Sequence, residues 1–252
     1  MVDKPGDSAI SKRKLNTGER MMFKTKKYLL IINIIVLIFL LGGVFNIEAV
    51  EKKHIFIVDP AHGGSDQGVK LNDDIAEKDV TLAVALSLKK ELAQERNIEI
   101  VLIRDSDKRM DMEERRAIIE KMKPDFVLSL HVNSGFGKNA AGFEMYYPDY
   151  LEEKSLDKKP LKDDKAKLQN KCQSDSLKMA KIVQDNFNSL FPRKGRGLRK
   201  AGLPVSDGIL VPTLSVEMGF ATQDEDKKKL LSATTQADIA KSLAKSIKTF
   251  FR

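Results

Sequence analysis

The stretch His54-Ile-Phe-Ile-Val-Asp-Pro-Ala-His-Gly-Gly64 decides the fold. An apolar run closed by Asp59-Pro60 and a Gly pair reads as a strand entering a turn. Beyond it, Val80, Val84, Leu88 and Leu92 recur at steps of four between Ala76 and Leu92, with Lys and Glu on the other side, which predicts an amphipathic helix. Residues Ile98–Ile103 then read as a strand, Met112–Met122 as a helix and Phe126–Val132 as a strand. Further on come Gly142–Tyr147 (strand), Ser176–Leu190 (helix), Thr213–Met218 (strand) and Gln236–Phe250 (helix). This alternation predicts a single α/β domain over residues 50–252, with a mixed, mostly parallel sheet covered by helices on both faces.

Upstream of that domain the chain changes character. Residues 1–27 form a basic leader, and Tyr28–Ile47 contains no charge, so residues 28–49 are expected to be a signal-peptide core or an uncleaved membrane anchor. Lys24, Lys26 and Lys27 on the near side send the chain beyond Ala49 across a membrane, into the bacterial envelope. Met21 and Met22 are alternative starts. The net charge of +8 is half concentrated in residues 1–49, leaving a mildly basic domain. With no Trp and 6% aromatics, nucleic acid is not an expected partner. One cysteine, Cys172, excludes internal disulfides and Cys-rich zinc sites, and the histidines are only His54, His62 and His131.

The unusual polar residues gather at the carboxyl ends of the expected strands. His62 lies in the turn after the first strand and Glu77 opens the next helix. In the third strand Ser129, His131 and Asn133 share one face, opposite Phe126, Leu128 and Leu130; in the last strand Glu217 alternates with Val216 and Met218. Open α/β sheets bind ligands in the crevice beyond those ends. Two histidines and one carboxylate, His62, Glu77 and His131, suit a catalytic Zn²⁺ that keeps one position for water. A second carboxylate held off the metal serves as proton acceptor, and Glu217, among apolar neighbours, is expected to titrate high. Singly, each has a plainer reading: His62 a turn residue, Glu77 a capping partner of Asp74, His131 a core histidine, Glu217 a solvated strand end. His54 is expected to be structural. The same ligand set also binds iron(II) in oxygenases, although those sites usually sit in all-β barrels.

Read in order, Val58-Asp-Pro-Ala-His-Gly-Gly64, Glu77-Lys-Asp79, Ile103-Arg-Asp105, Glu113-Glu-Arg115, Ser129-Leu-His-Val-Asn133, Gly142-Phe-Glu-Met-Tyr-Tyr147, Gly195-Arg-Gly-Leu198 and Val216-Glu-Met-Gly-Phe220 resemble the zinc-dependent N-acetylmuramoyl-L-alanine amidases of the bacterial cell wall. The resemblance runs from about Ile55 to Phe250. It implies one Zn²⁺ on His62, Glu77 and His131, Glu217 as the catalytic glutamate, peptidoglycan as substrate, and hydrolysis of the amide between N-acetylmuramic acid and L-alanine in wall remodelling or cell separation. A wall-binding protein that has lost catalysis is the non-enzymatic alternative. Ala61 stands where the family usually has Gly, so a positive φ there would strain the turn.

One segment departs from the alternation. Leu151–Cys172 holds 12 charged residues of 22, around Pro160, and is expected to be a solvated insertion. The resemblance suggests a second role, a segment folded over the zinc through Glu152, Glu153, Asp157, Asp163 or Asp164 and withdrawn by an activator protein.

Overall fold

The computed structural model describes residues 17–42, 53–135, 140–150, 163–191 and 195–252. It divides into two units, Met1–Glu51 and Lys52–Arg252. In the first, one helix, α1 (Thr17–Gly42), takes in the uncharged run as far as Gly42; the rest of the expected signal or anchor segment, residues 43–49, lies outside the described residues. Among the described residues no helix is long and apolar enough to cross a membrane.

The second unit is an α/β domain. In chain order it contains β1 (His54–Pro60), α2 (Glu77–Glu91), β2 (Ile98–Leu102), α3 (Met112–Met122), β3 (Phe126–Asn133), β4 (Phe143–Tyr147), α4 (Asp163–Phe187), β5 (Gly195–Lys200), β6 (Thr213–Phe220), α5 (Asp224–Leu230) and α6 (Ala233–Phe250). The strands form one sheet in the order β2-β1-β3-β6-β4-β5. The first four are parallel; β4 runs antiparallel to β6, and β5 is parallel to β4.

The faces differ in depth. On one, Phe56, Val58, Leu128, Leu130, Val216 and Met218 pack under α2, α4 and α6 in the main core. On the other, Ile57 and Val127 meet Ile119 of α3 and Val205 and Val211 of the connection into β6. Only this smaller cover protects the second face, so its half nearest the carboxyl ends of the parallel strands is left for polar groups.

The periodicity in the sequence places the strands to within two residues and α3 at its observed bounds, but three features differ. Strand β5 is not anticipated: Gly195-Arg-Gly-Leu-Arg-Lys200 has none of the apolar alternation of a half-buried strand, being held at a sheet edge. Helix α5 is also unforeseen. Helix α4 begins at Asp163, so the second half of the expected insertion is helix, with Gln169 and Cys172 buried; the Lys and Asp on its other side dilute the amphipathic stripe. Residues 151–162 lie outside the described residues.

Candidate metal centre

His62 follows β1 through a turn of unusual backbone. Its φ is +62°, with Gly63 and Gly64 also in positive φ, whereas Ala61 is not. The strain expected at Ala61 therefore falls on His62, and Ala61 keeps its Cβ, buried against the core. Two buried arginines hold this turn. Arg104 donates to the carbonyls of Pro60, Ala61, Lys78 and Ser106. Arg115 donates to the carbonyls of Pro60 and His62 and pairs with buried Asp59. Backbone oxygens thus receive charge-assisted hydrogen bonds, which fix the turn more firmly than neutral ones would.

Glu77 is the first residue of α2, which is capped by Asp79, whose carboxylate accepts from the Ala76 N–H at 2.9 Å. Asp74 is not the cap, so the capping pair Asp74–Glu77 is not formed and the Glu77 carboxylate is turned inward. Its Oε1 accepts from Val132 N–H at 3.0 Å and its Oε2 from Val69 N–H at 3.1 Å. On the remaining sides stand His62 Nε2, 3.1 Å from Oε2, and His131 Nδ1, 3.2 Å from Oε1. One ligand atom from each of His62, Glu77 and His131 lies within 4.8 Å of the others.

Each imidazole is oriented from behind. His62 Nδ1 is 2.9 Å from Asp66 Oδ1. His131 Nε2 is 3.1 Å from Ser129 Oγ, which donates to Asp59 Oδ2 at 3.0 Å, so the Asp59–Arg115 pair anchors both histidines. Gly68, at φ +63°, closes the cradle: a Cβ there would lie 2.5 Å from Glu77 Oε2 and 2.5 Å from His62 Cδ2. Two imidazoles aimed at one buried carboxylate, each with its far nitrogen engaged, is the donor chemistry of a divalent-metal site with orienting partners.

The electrostatics agree. Burial alone would raise the Glu77 carboxyl, but hydrogen bonds from His131, His62 and Val132 hold it at about 2. The hydrogen bond to Glu77 pushes His62 up to about 9, against the desolvation that would lower it. Desolvation also lowers His131, yet Glu77 and the charges of Glu217 and Asp59 leave it raised. Cationic histidines gripping a carboxylate are what such a cluster does when protons stand in for a metal.

Glu217 stands apart from this cluster. Desolvation is the first cause that brings its carboxyl up to about 7, with Glu77 and Glu144 raising it further and His131 and His62 opposing. In the sheet it pairs in register with His131 on one side and Glu144 on the other. Glu144, buried, accepts from Asn133 Nδ2 at 3.1 Å and Tyr146 hydroxyl at 2.8 Å. Asp66, Arg115, Glu144 and Tyr146 do not stand out in the sequence. Glu144 and Arg115 lie inside quoted motifs, but their roles depend on pairings between distant segments. His54 stacks on Phe251, with ring centres 4.3 Å apart, as a structural residue.

The described residues on either side of 151–162 lie away from this site. Tyr150 hydroxyl donates to Val211 carbonyl and accepts from Thr213 N–H, at the amino end of β6. Lys165 and Gln169 line the same cavity as Tyr150, so α4 starts at that edge too. Asp163 and Asp164 are exposed in its first turn and do not reach the histidines, contrary to the suggestion that they could; Glu152, Glu153 and Asp157 lie outside the described residues.

Known proteins share both the sequence pattern and the fold. Residues 56–249 match the family model Amidase_3, N-acetylmuramoyl-L-alanine amidase. The chain is 25% identical over 223 residues to the N-acetylmuramoyl-L-alanine amidase AmiC of Escherichia coli O6:H1, covering 80% of this chain but 54% of that protein. Among solved structures, AmiC2 of Nostoc punctiforme is 27% identical with a TM-score of 0.63, covering 80% of this chain and 98% of that one. The CwlD amidase from Clostridioides difficile, solved in complex with the GerS lipoprotein, shares the fold at 19% identity and a TM-score of 0.63, covering 79% of this chain and 98% of that one.

Proposed function

Because the chain belongs to the N-acetylmuramoyl-L-alanine amidase family, we propose that it hydrolyses the amide between the lactyl group of N-acetylmuramic acid and the L-alanine of the peptidoglycan stem, with one Zn²⁺ held by His62, Glu77 and His131. The observation that carries this reading is the convergence of those three side chains around a cradle that Gly68 closes without filling, a Cβ there meeting Glu77 and His62. A zinc ion bound there supplies Lewis acidity and acidifies a coordinated water.

The chain's own residues do the rest. Arg104 and Arg115 fix the His62 turn, while Asp66 and Ser129 set the imidazole planes. Glu217, raised to about 7, sits where a carboxylate is basic enough near neutrality to take a proton from the attacking water and acidic enough to return it to the departing amine. The pocket in front of the histidines is walled by Met110, Met112, Leu203 and Val205, which limits water on that side.

Export to the cell envelope, through residues 28–49 as signal or anchor, and a role in wall remodelling or cell separation are part of the same reading. So is an activator protein acting on the 151–172 segment; that CwlD was solved with the GerS lipoprotein supports the idea of a protein partner for this fold, without bearing on the segment. Mass spectrometry of peptidoglycan digested by the protein, with and without a chelator, tests the central claim. Released stem peptides with a free L-alanine amine, lost on chelation, are expected; products cleaved elsewhere in the peptide or glycan overturn it.

A further inference from the structure

The polar groups of the open sheet face form two rows across the strands. One runs through Asp59, Ser129, Ser215, Tyr146 and Arg199, each in register with the next. The other runs through His131, Glu217 and Glu144. Both lead from the candidate metal centre towards β5, and there the charge changes sign.

The change is built by a backbone irregularity. Between β4 and β5, Phe143 pairs with Gly195 but Met145 with Leu198, so β5 carries one additional residue at a bulge where Gly197 has φ +92°. Residues three apart on a regular strand point to opposite faces. The additional residue brings Arg196 and Arg199 to the same side, and both guanidinium groups meet one oxygen, Glu144 Oε1. Arg199 Nη2 lies at 3.1 Å and Arg196 Nε at 3.6 Å, while that oxygen has no well-aligned hydrogen bond. The Arg196 guanidinium also lies 5.3 Å from the centre of the Phe220 ring, which steadies its plane. The Glu144 side chain is 4% exposed, but those of Arg196 and Arg199 are 36% and 55% exposed. Two cations share one buried anion, which leaves a surplus positive charge on two partly exposed guanidinium groups.

We propose that Arg196 and Arg199 form a carboxylate-binding subsite, which recognises a free carboxylate on the peptide side of the scissile amide. This rests on the amidase reading above. The two guanidinium groups reach back from β5 to Glu144, which is in register with Glu217 one strand spacing away, about 5 Å, a span that an extended peptide covers in about two residues. A carboxylate on the residue after the stem alanine is therefore within reach of the guanidinium forks while the alanine amine faces Glu217. Guanidinium groups bind carboxylates through paired, charge-assisted hydrogen bonds, and replacing the carboxylate with an amide removes the charge but keeps the shape.

The test compares N-acetylmuramoyl-L-alanyl-D-glutamic acid γ-amide, whose only carboxylate is the α-carboxylate, with the corresponding α,γ-diamide, which has none, as substrates for the full chain and for Arg196→Gln, Arg199→Gln, the double variant, and a triple variant that adds Glu144→Gln so that no buried charge is left unpaired. The expected wild-type preference in kcat/KM for the acid is about tenfold or more, falling towards one in the double and triple variants. Thermal melting identifies any variant that fails to fold, in which case the single variants, each expected to lose part of the preference, decide. Equal rates on acid and amide by the wild type, or a preference that survives loss of both arginines, overturns the proposal. If neither compound is cleaved, the amidase reading fails separately, and calorimetric titration of both compounds decides the subsite: a tenfold preference for the acid that both arginines are needed to produce supports it, and equal binding overturns it.

Discussion

At the scale of single residues, the site depends on positions that carry out no chemistry. His62 occupies a backbone conformation that side-chain-bearing residues seldom adopt, and it is kept there because Arg104 and Arg115 bind the carbonyls around it. Gly68 matters for space as much as for φ. Gly68→Ala is expected to push His62 or Glu77 aside and weaken metal affinity by about 10–100-fold, the range seen when orienting groups are lost; a competition titration with a chromogenic chelator measures this, and unchanged affinity contradicts the cradle. Glu217 is expected to behave oppositely. Glu217→Gln should keep its zinc and lose about 10²–10⁴-fold in rate, whereas His62→Ala should lose the zinc itself. Metal analysis of both purified variants, beside a dye-release assay on cell-wall sacculi, separates the two roles.

At the scale of elements, the sheet's change of direction sets what can reach the site. Because β4 runs antiparallel to β6, its start lies beside Glu217, and its end delivers the chain to the opposite edge, where Tyr150 is pinned to Val211 and Thr213. The chain therefore enters the charged segment beside Thr213, four strand residues or about 13 Å from Glu217. Removing residues 152–162, which spares the buried Gln169 and Cys172 of α4, is expected to change sacculus hydrolysis by less than about twofold, the cavity edge at Tyr150 having no part in the chemistry. A rise of tenfold or more would instead reveal a cover over the metal centre and would favour an activator that removes it.

At the scale of the whole molecule, the cluster of His62, Glu77 and His131 ties β1, α2 and β3 together, and on the proposed reading protons and a metal ion would compete for it. Without metal, the His62–Glu77 pair stabilises the fold fully below pH 6.5, the ordinary histidine value, and that contribution is lost as pH rises through about 9. The Glu77 carboxyl, depressed to about 2, contributes above pH 4.5 and is lost on acidification below that. On this reading zinc must displace the His62 proton, and that of His131 wherever it too is cationic, so its affinity is expected to rise by at least about tenfold per pH unit between pH 6.5 and 8. Calorimetric titrations in that interval check the slope, and a flat affinity would show that His62 is not a ligand. The alternation of apolar and turn residues was enough to determine that every strand but β5 and every helix of the domain but α5 exists, because strand and helix periodicity are properties of short segments. Local chemistry also marked His62, Glu77, His131 and Glu217 as residues out of place at strand ends. The edge strand β5 was invisible because its residues face solvent, and α4 reads too short because its buried stripe is sparse. What only the tertiary structure decided was partnership: that Glu144 stands beside Glu217, that Asp59 and Arg115 anchor both imidazoles, and that a bulge turns Arg196 and Arg199 to one side. Those pairings are set by register between segments far apart in the chain, and register comes from packing the entire sheet rather than from any stretch within it.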